Sequence, residues 1–227
     1  MLDLYIGNKN YSSWSLRPWV LMRELNIPFR EMLVPFGGAH NPDAFRAFSP
    51  TGKVPCLVDG TTTVWDSLAI TEYLAERHAG VWPADGVARA WARSAAAEMH
   101  SGFQAMRNFC TMNCGLRVRL HSIDATLTRD LHRLEQLWAD GLARFGGPFL
   151  AGAAFSAADA FFAPVALRIQ TYEPPLEEAA RQYAARRRGL PSMQQWYQAA
   201  LAETWRDEEH EQEVRMVGTC TQDLRAR

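Results

Sequence analysis

The sequence predicts an α/β domain followed by an all-α domain, and three observations carry that prediction. The first 80 residues switch repeatedly between strand-like and helix-like patterns. A break rich in Gly and Pro, AGVWPADG, follows at residues 79–86. Everything beyond it has helical period. The domains are therefore expected at residues 1–80 and 87–205, with a polar tail at 206–227.

Within the first domain, Leu2–Ile6 reads as a strand. Leu16–Leu25 reads as a helix whose first turn tolerates Pro18. Phe29–Val34 is a second strand, and Asn41–Phe48 fits a short helix. Val54–Val58 and Thr62–Trp65 flank Asp59-Gly60, a strong hairpin signal. Ser67–His78 is helical, with Leu68, Tyr73 and Leu74 on one face. The order β-α-β-α-β-β-α implies one mixed sheet with helices packed on it.

In the second domain, Val87, Trp91, Ala95, Met99, Phe103 and Met106 fall on one stripe. Ile123, Leu127, Leu131, Leu134, Trp138 and Leu142 fall on another. Residues 157–169 are apolar nearly all round and predict a buried helix. Met193, Trp196, Tyr197, Ala200 and Leu201 mark a last amphipathic helix. The basic run at 181–188 reads as a solvated helix end. The tail from Arg206 reads as surface-lying or disordered chain.

Composition sets bounds. With 227 residues, 48% of them apolar, the chain buries a sizeable core. Lys plus Arg (24) balances Asp plus Glu (25), so no global charge attracts nucleic acid or an anionic membrane. No apolar window reaches membrane-spanning length, and MLDLYIG lacks the basic start of a secretory signal. The four cysteines suggest no disulfide framework, and a cytoplasmic location is the default. Eight Trp and eleven Phe suit helix packing or an aromatic pocket.

Three segments carry possible chemistry. In SPTGKVPCLVDG, Pro55 cannot donate to a sheet ladder. The Val54-Pro55 bond is either trans at a strand start or cis; the cis form leaves the Val54 backbone free to pair with a bound peptide. In VWDSLAITEYL, Asp66 or Ser67 serves as a helix cap, or the helix start holds a carboxylate while Asp66 takes an ammonium. In NYSSWSLRPW, Ser12, Ser13 and Ser15 crowd a helix start, either as caps or as donors to a sulfur anion. Lowering a thiol pKa by two units requires about 2.7 kcal/mol. One hydrogen bond to a charged group supplies about 1.5–3 kcal/mol, so one serine suffices.

Other features are weaker. Cys110 and Cys114 lack two further ligands at zinc spacing and read as core, so no metal is expected. Cys56 is a conceivable redox thiol that more simply faces the core. His100 and His121 have no evident partner.

Together these segments resemble the cytosolic glutathione transferase family over residues 1–205. GKVPCLVDG followed by WDSLAITEYL resembles its glutathione-binding signature. FSAADAFFAPV resembles its helix-capping box, with Ser156 and Asp159 at S-x-x-D spacing. SSWSLRPW is similar to the zeta-class serine motif, matching at Ser12, Ser13, Ser15 and Arg17, with Trp14 in place of cysteine. The resemblance implies a thioredoxin-like N-terminal domain and a helical-bundle C-terminal domain. It implies glutathione as cosubstrate, with Ser12 activating the thiol and Ser13 in reserve. Val54, beside Pro55, pairs with the cysteinyl backbone, and Asp66 and Ser67 hold the γ-glutamyl end. Lys53 and His40 reach the glycyl carboxylate, and Trp14 completes the expected binding set. The family usually has Glu or Gln where Asp66 stands.

The leading expectation is a detoxifying transferase joining glutathione to a small-molecule electrophile. Met99, Phe103, Met106 and Arg107 are candidates to line the electrophile site. Alternatives are cis–trans isomerisation of a maleyl keto acid, a non-catalytic ligand-binding protein, and a thiol–disulfide protein using Cys56. Zeta enzymes are expected to hold a substrate carboxylate with an arginine at the place of Thr171; Arg168 lies one turn earlier. The resemblance also implies a homodimer.

Overall fold

The computed structural model describes residues 1–37 and 42–226. Four strands form a mixed sheet in the order β2-β1-β3-β4: β1 (Leu2–Ile6), β2 (Phe29–Leu33), β3 (Cys56–Asp59) and β4 (Thr62–Trp65). β1 pairs parallel with β2 and antiparallel with β3, and β3 and β4 form the hairpin around Gly60, which has φ +59°. This is the mixed sheet the alternation predicts. The Val54-Pro55 bond is cis. α2 is the short helix Pro42–Arg46, and α3 spans Ser67–Ala75.

The first helix, α1, spans Ser13–Glu24. It begins three residues earlier than the apolar pattern predicts, so the serines form its first turn. It is buried nearly all round, with Leu16, Trp19, Val20, Leu21 and Met22 fully covered. α1 packs on α3, on α7 (Ala157–Tyr172) and on α9 (Pro191–Ala202). Trp19 meets Trp196 edge-on at 5.1 Å. α1 is thus shared by both domains.

The buried helix is α7, whose capping box is present. Asp159 is fully buried and accepts the Ser156 amide at 3.1 Å and the Leu150 amide at 3.1 Å. Tyr183 donates to it at 2.9 Å and Arg187 at 3.3 Å. Both partners come from α8 (Glu178–Arg188). Arg187 is therefore a buried ion-pair partner, which corrects the reading of 181–188 as a wholly solvated end.

Three further expectations are corrected. The stripe from Val87 to Met106 is broken into α4 (Gly86–Ser101) and α5 (Gln104–Phe109) by Phe103 at φ +57°, and Val87 itself is exposed. Ile123 is likewise exposed and precedes α6 (Ala125–Phe145). The second half is not wholly helical: β5 (Leu116–Leu120) pairs antiparallel with β6 (Gly218–Asp223).

The tail is accordingly ordered. α10 (Glu208–Val217) leads into β6, and Arg225 reaches Glu211 and Tyr11. Gly115 is required beneath it, because a Cβ there would sit 2.1 Å from Arg225 Cγ. No helix among the described residues is long and apolar enough to cross a membrane.

Two predictions arise. Asp159→Ala leaves Arg187 buried and unpaired, and denaturant unfolding should show a loss of about 3–5 kcal/mol. Burial raises the Glu211 carboxyl, but bonds from Arg225, Tyr11 and Asn113 outweigh it and hold its pKa below the ordinary value of 4.5. Its contribution is complete above that value and is lost as pH falls through the lowered one. Hydrogen exchange in β5 and β6 should therefore accelerate in that acid window, and Glu211→Gln should remove the pH dependence.

Candidate functional site

The cleft grows from the loop between β1 and α1. Ser12 is the N-cap residue of α1, and Ser13 is its first helical residue. Ser12 donates its hydroxyl to Ser15 Oγ at 2.7 Å, and the Gly7 amide donates to the same oxygen at 3.2 Å. Ser13 Oγ has no hydrogen-bond partner among the described residues. The Trp14 and Ser15 amides, in the first turn, likewise find no acceptor among the described residues, as helix geometry dictates. That turn offers free donors and the positive end of a helix dipole.

Two cavities meet here. One, of about 490 Å³, is lined by Trp14, Thr51, Lys53, Val54, Pro55, Trp65, Asp66 and Ser67. The other, of about 450 Å³, shares Trp14, Thr51, Lys53 and Val54 and adds Ser12, Ser13 and residues of the second domain. The Val54 amide and carbonyl make no hydrogen bond with the described chain. Asp66 caps α3 by accepting the Leu68 amide at 2.7 Å, with φ +73°. That conformation disfavours side-chain-bearing residues by about 1–3 kcal/mol and is typical of functional sites. Ser67 Oγ accepts from Arg17 at 3.2 Å. The first cavity thus presents a free backbone donor and acceptor, an exposed carboxylate and the Lys53 ammonium, with Arg17 behind Ser67. This set suits an extended peptide bearing an ammonium and a carboxylate.

Arg17 is buried against the Trp14 and Phe161 rings, at 4.1 and 4.9 Å. Burial, and then the fields of Arg107 and Arg168, lower its pKa well below the usual value. Its Nε has no partner. His100 reaches Asp66 at 3.6 Å and Arg17 at 3.5 Å. Burial lowers its pKa below the ordinary imidazole value, opposed by Asp66 and reinforced by Arg17 and Arg107.

The structure brings Ser12, Ser13, Trp14, Lys53, Val54, Pro55, Asp66 and Ser67 to one cleft. His40 lies outside the described residues. Of the four residues expected to line an electrophile site, only Arg107 lines the second cavity; Met99, Phe103 and Met106 are core. Thr171 donates to the Asn113 and Leu167 carbonyls and faces no cavity described here. Sequence reasoning missed His100, whose partners come from other elements. It missed Tyr11, Phe36, Phe45, His210 and Glu213, which line the second cavity with Arg168. His210 and Glu213 belong to the segment expected to be a surface tail, so no local signal marked them.

Family models match most of the chain. "Glutathione S-transferase, N-terminal domain" covers residues 11–77 and "Glutathione S-transferase, C-terminal domain" covers residues 88–199. The dichloromethane dehalogenase of Methylophilus leisingeri is 44% identical over 59 residues, 25% of this chain and 22% of that protein. The chain therefore spans under a quarter of that relative's length in the match. Glutathione S-transferase 1 of Dianthus caryophyllus is 28% identical over 170 residues, 72% of this chain and 75% of that protein. A theta class glutathione S-transferase from Xanthomonas axonopodis pv. citri, solved with glutathione bound, is 25% identical. Its TM-score is 0.64, over 86% of this chain and 96% of that one.

A redox role for Cys56 finds no support in its surroundings. The thiol is fully buried and donates to the Phe48 carbonyl at 3.4 Å, and burial pushes its pKa up to about 11. Such a thiol is inert near neutral pH. In native protein at pH 7.5, iodoacetamide should label exposed Cys220 and spare Cys56, as read by peptide mass spectrometry.

Proposed function

The chain belongs to the glutathione S-transferase family, and on that premise we propose that it is a serine-type transferase acting on a small electrophile. In this reading glutathione lies in the first cavity. Its cysteinyl backbone pairs with the Val54 amide and carbonyl, and its γ-glutamyl ammonium meets Asp66. The γ-glutamyl carboxylate meets Ser67 and the start of α3, with Arg17 behind. The sulfur then lies over the first turn of α1, where the two cavities join. The thiol proton goes to solvent, the thiolate forms a carbon–sulfur bond with the electrophile, and the displaced group leaves with its electron pair.

The observation that carries this reading is the hydroxyl array at the start of α1. Turning the Ser12 and Ser15 hydroxyls once converts their contact into a chain from the Gly7 amide through Ser15 and Ser12 to the sulfur. Each donor in such a chain strengthens the next. The helix N-terminus adds about 0.3–1 kcal/mol. Ser13, with its hydroxyl unpartnered, is the competing donor. By the same reading the protein works in the cytoplasm as a two-fold dimer, which sedimentation tests.

Ser12→Ala should raise the pKa of bound glutathione by about 1–2 units, the equivalent of one charged hydrogen bond. Ser15→Ala should raise it less, and Ser13→Ala least. The measurement is thiolate absorbance against pH. An unchanged pKa in Ser12→Ala together with a raised one in Ser13→Ala transfers the role to Ser13.

A further inference from the structure

The second cavity carries a charge pattern that the thiol chemistry does not use. Its lining includes three cations, Lys53, Arg107 and Arg168, against one carboxylate, Glu213. Arg107 comes from α5 and Arg168 from α7, so both belong to the second domain and neither lines the peptide cavity. Arg107 donates to the Gly102 carbonyl at 3.0 Å and to the Met99 carbonyl. Arg168, only 6% exposed, donates to the Cys110 carbonyl. Neither makes an ion pair with a carboxylate within 4.0 Å among the described residues. Asp130 acts on Arg107, and Glu213 on Arg168, only through their longer-range fields.

Two guanidiniums without ion-pair partners that line one cavity, Arg168 buried and Arg107 half-buried, are costly to fold. Their mutual repulsion is felt: burial and the field of Arg168 bring Arg107 down to about 10. The wall also carries the rings of Tyr11, Trp14, Phe36, Phe45 and His210. Tyr11 and Phe36 stack on His210 at 5.0 and 5.2 Å, and Trp14 lines both this cavity and the peptide cleft. Arg107 also lies 5.0 Å over the Trp14 ring. A planar guest there meets aromatic rings and two guanidinium charges without carboxylate partners, which favour a carboxylate at that end.

Resting on the glutathione reading above, we propose that the electrophile this protein takes is a planar, conjugated molecule bearing a carboxylate, held by Arg107 and Arg168. The pair is not the arginine expected by resemblance, whose place is taken by Thr171 with its hydroxyl engaged. The carboxylate holds the ring over the first turn of α1, so its reacting carbon faces the sulfur.

The test is binding, by calorimetry, of three ligands to the intact protein: glutathione, S-(4-carboxy-2-nitrophenyl)glutathione and S-(4-carbamoyl-2-nitrophenyl)glutathione. Both conjugates are thioethers, so thiolate stabilisation drops out of the comparison. The acid should bind at least tenfold more tightly than the amide, or about 1.4 kcal/mol. Arg107→Gln and Arg168→Gln should each shrink that ratio while leaving the affinity for glutathione unchanged. Equal binding of acid and amide by the unaltered protein overturns the carboxylate assignment and leaves the transferase reading standing. So does a loss of glutathione affinity in the arginine variants with the ratio preserved. Failure of all three ligands to bind removes the glutathione reading, and this proposal with it. The acid-to-amide ratio needs no variant, so a variant that does not fold leaves the test intact.

Discussion

The start of α1 depends on one constraint: the loop before it is held by the far end of the chain. Glu203 is buried, and its two carboxylate oxygens accept the Lys9 amide at 2.7 Å and the Asn10 amide at 3.1 Å. Trp196 donates to the Lys9 carbonyl at 2.9 Å. The Cys114 and Gly115 amides bond Asn10 at 3.1 Å each. A hydrogen bond to a charged group contributes about 1.5–3 kcal/mol, so the Glu203 pair alone anchors the loop firmly. The turn carrying Ser12 and Ser13 is thereby fixed by residues nearly 200 positions away. Gly7 sits at the same loop because Phe36 passes close; a Cβ there would lie 2.6 Å from its ring.

The fold was legible where local chemistry decides it. The Asp59-Gly60 hairpin, the parallel crossover from β1 to β2 and the apolar run of α7 all follow from pattern and turn residues. The β5–β6 pair was only half legible. Leu116, Val118 and Leu120 alternate with Arg117 and Arg119, a strand signal, but a lone strand needs a partner, and that partner lies a hundred residues on. Helix stripes misled at Phe103, because a left-handed residue breaks a helix without breaking the spacing of its neighbours. The tail looked disordered for the same reason that it is ordered. Its charges meet their counterparts only in the folded protein, as Arg225 meets Glu211.

The site divides along the same line. Val54, Asp66 and the serines lie in segments whose spacing announces them. Arg107, Arg168, His100 and His210 converge from separate helices, and no spacing links them. The peptide-facing wall is thus built by the first 80 residues, and the opposite wall by side chains that tertiary packing gathers. On the proposed function, selectivity for the second substrate falls to residues that are invisible to one another in the sequence.

The link between Arg225 and the hydroxyl of Tyr11, a residue lining the second cavity, joins both ends of the described chain. For a polypeptide made from its N-terminus onward, this sets an order of events. The sheet and α1 emerge from the ribosome long before Glu203 and Arg225 exist to hold the loop. The nascent chain therefore carries every hydroxyl of the first wall without the anchor that aims them. The anchor of this loop is thus among the last parts of the described chain to be made.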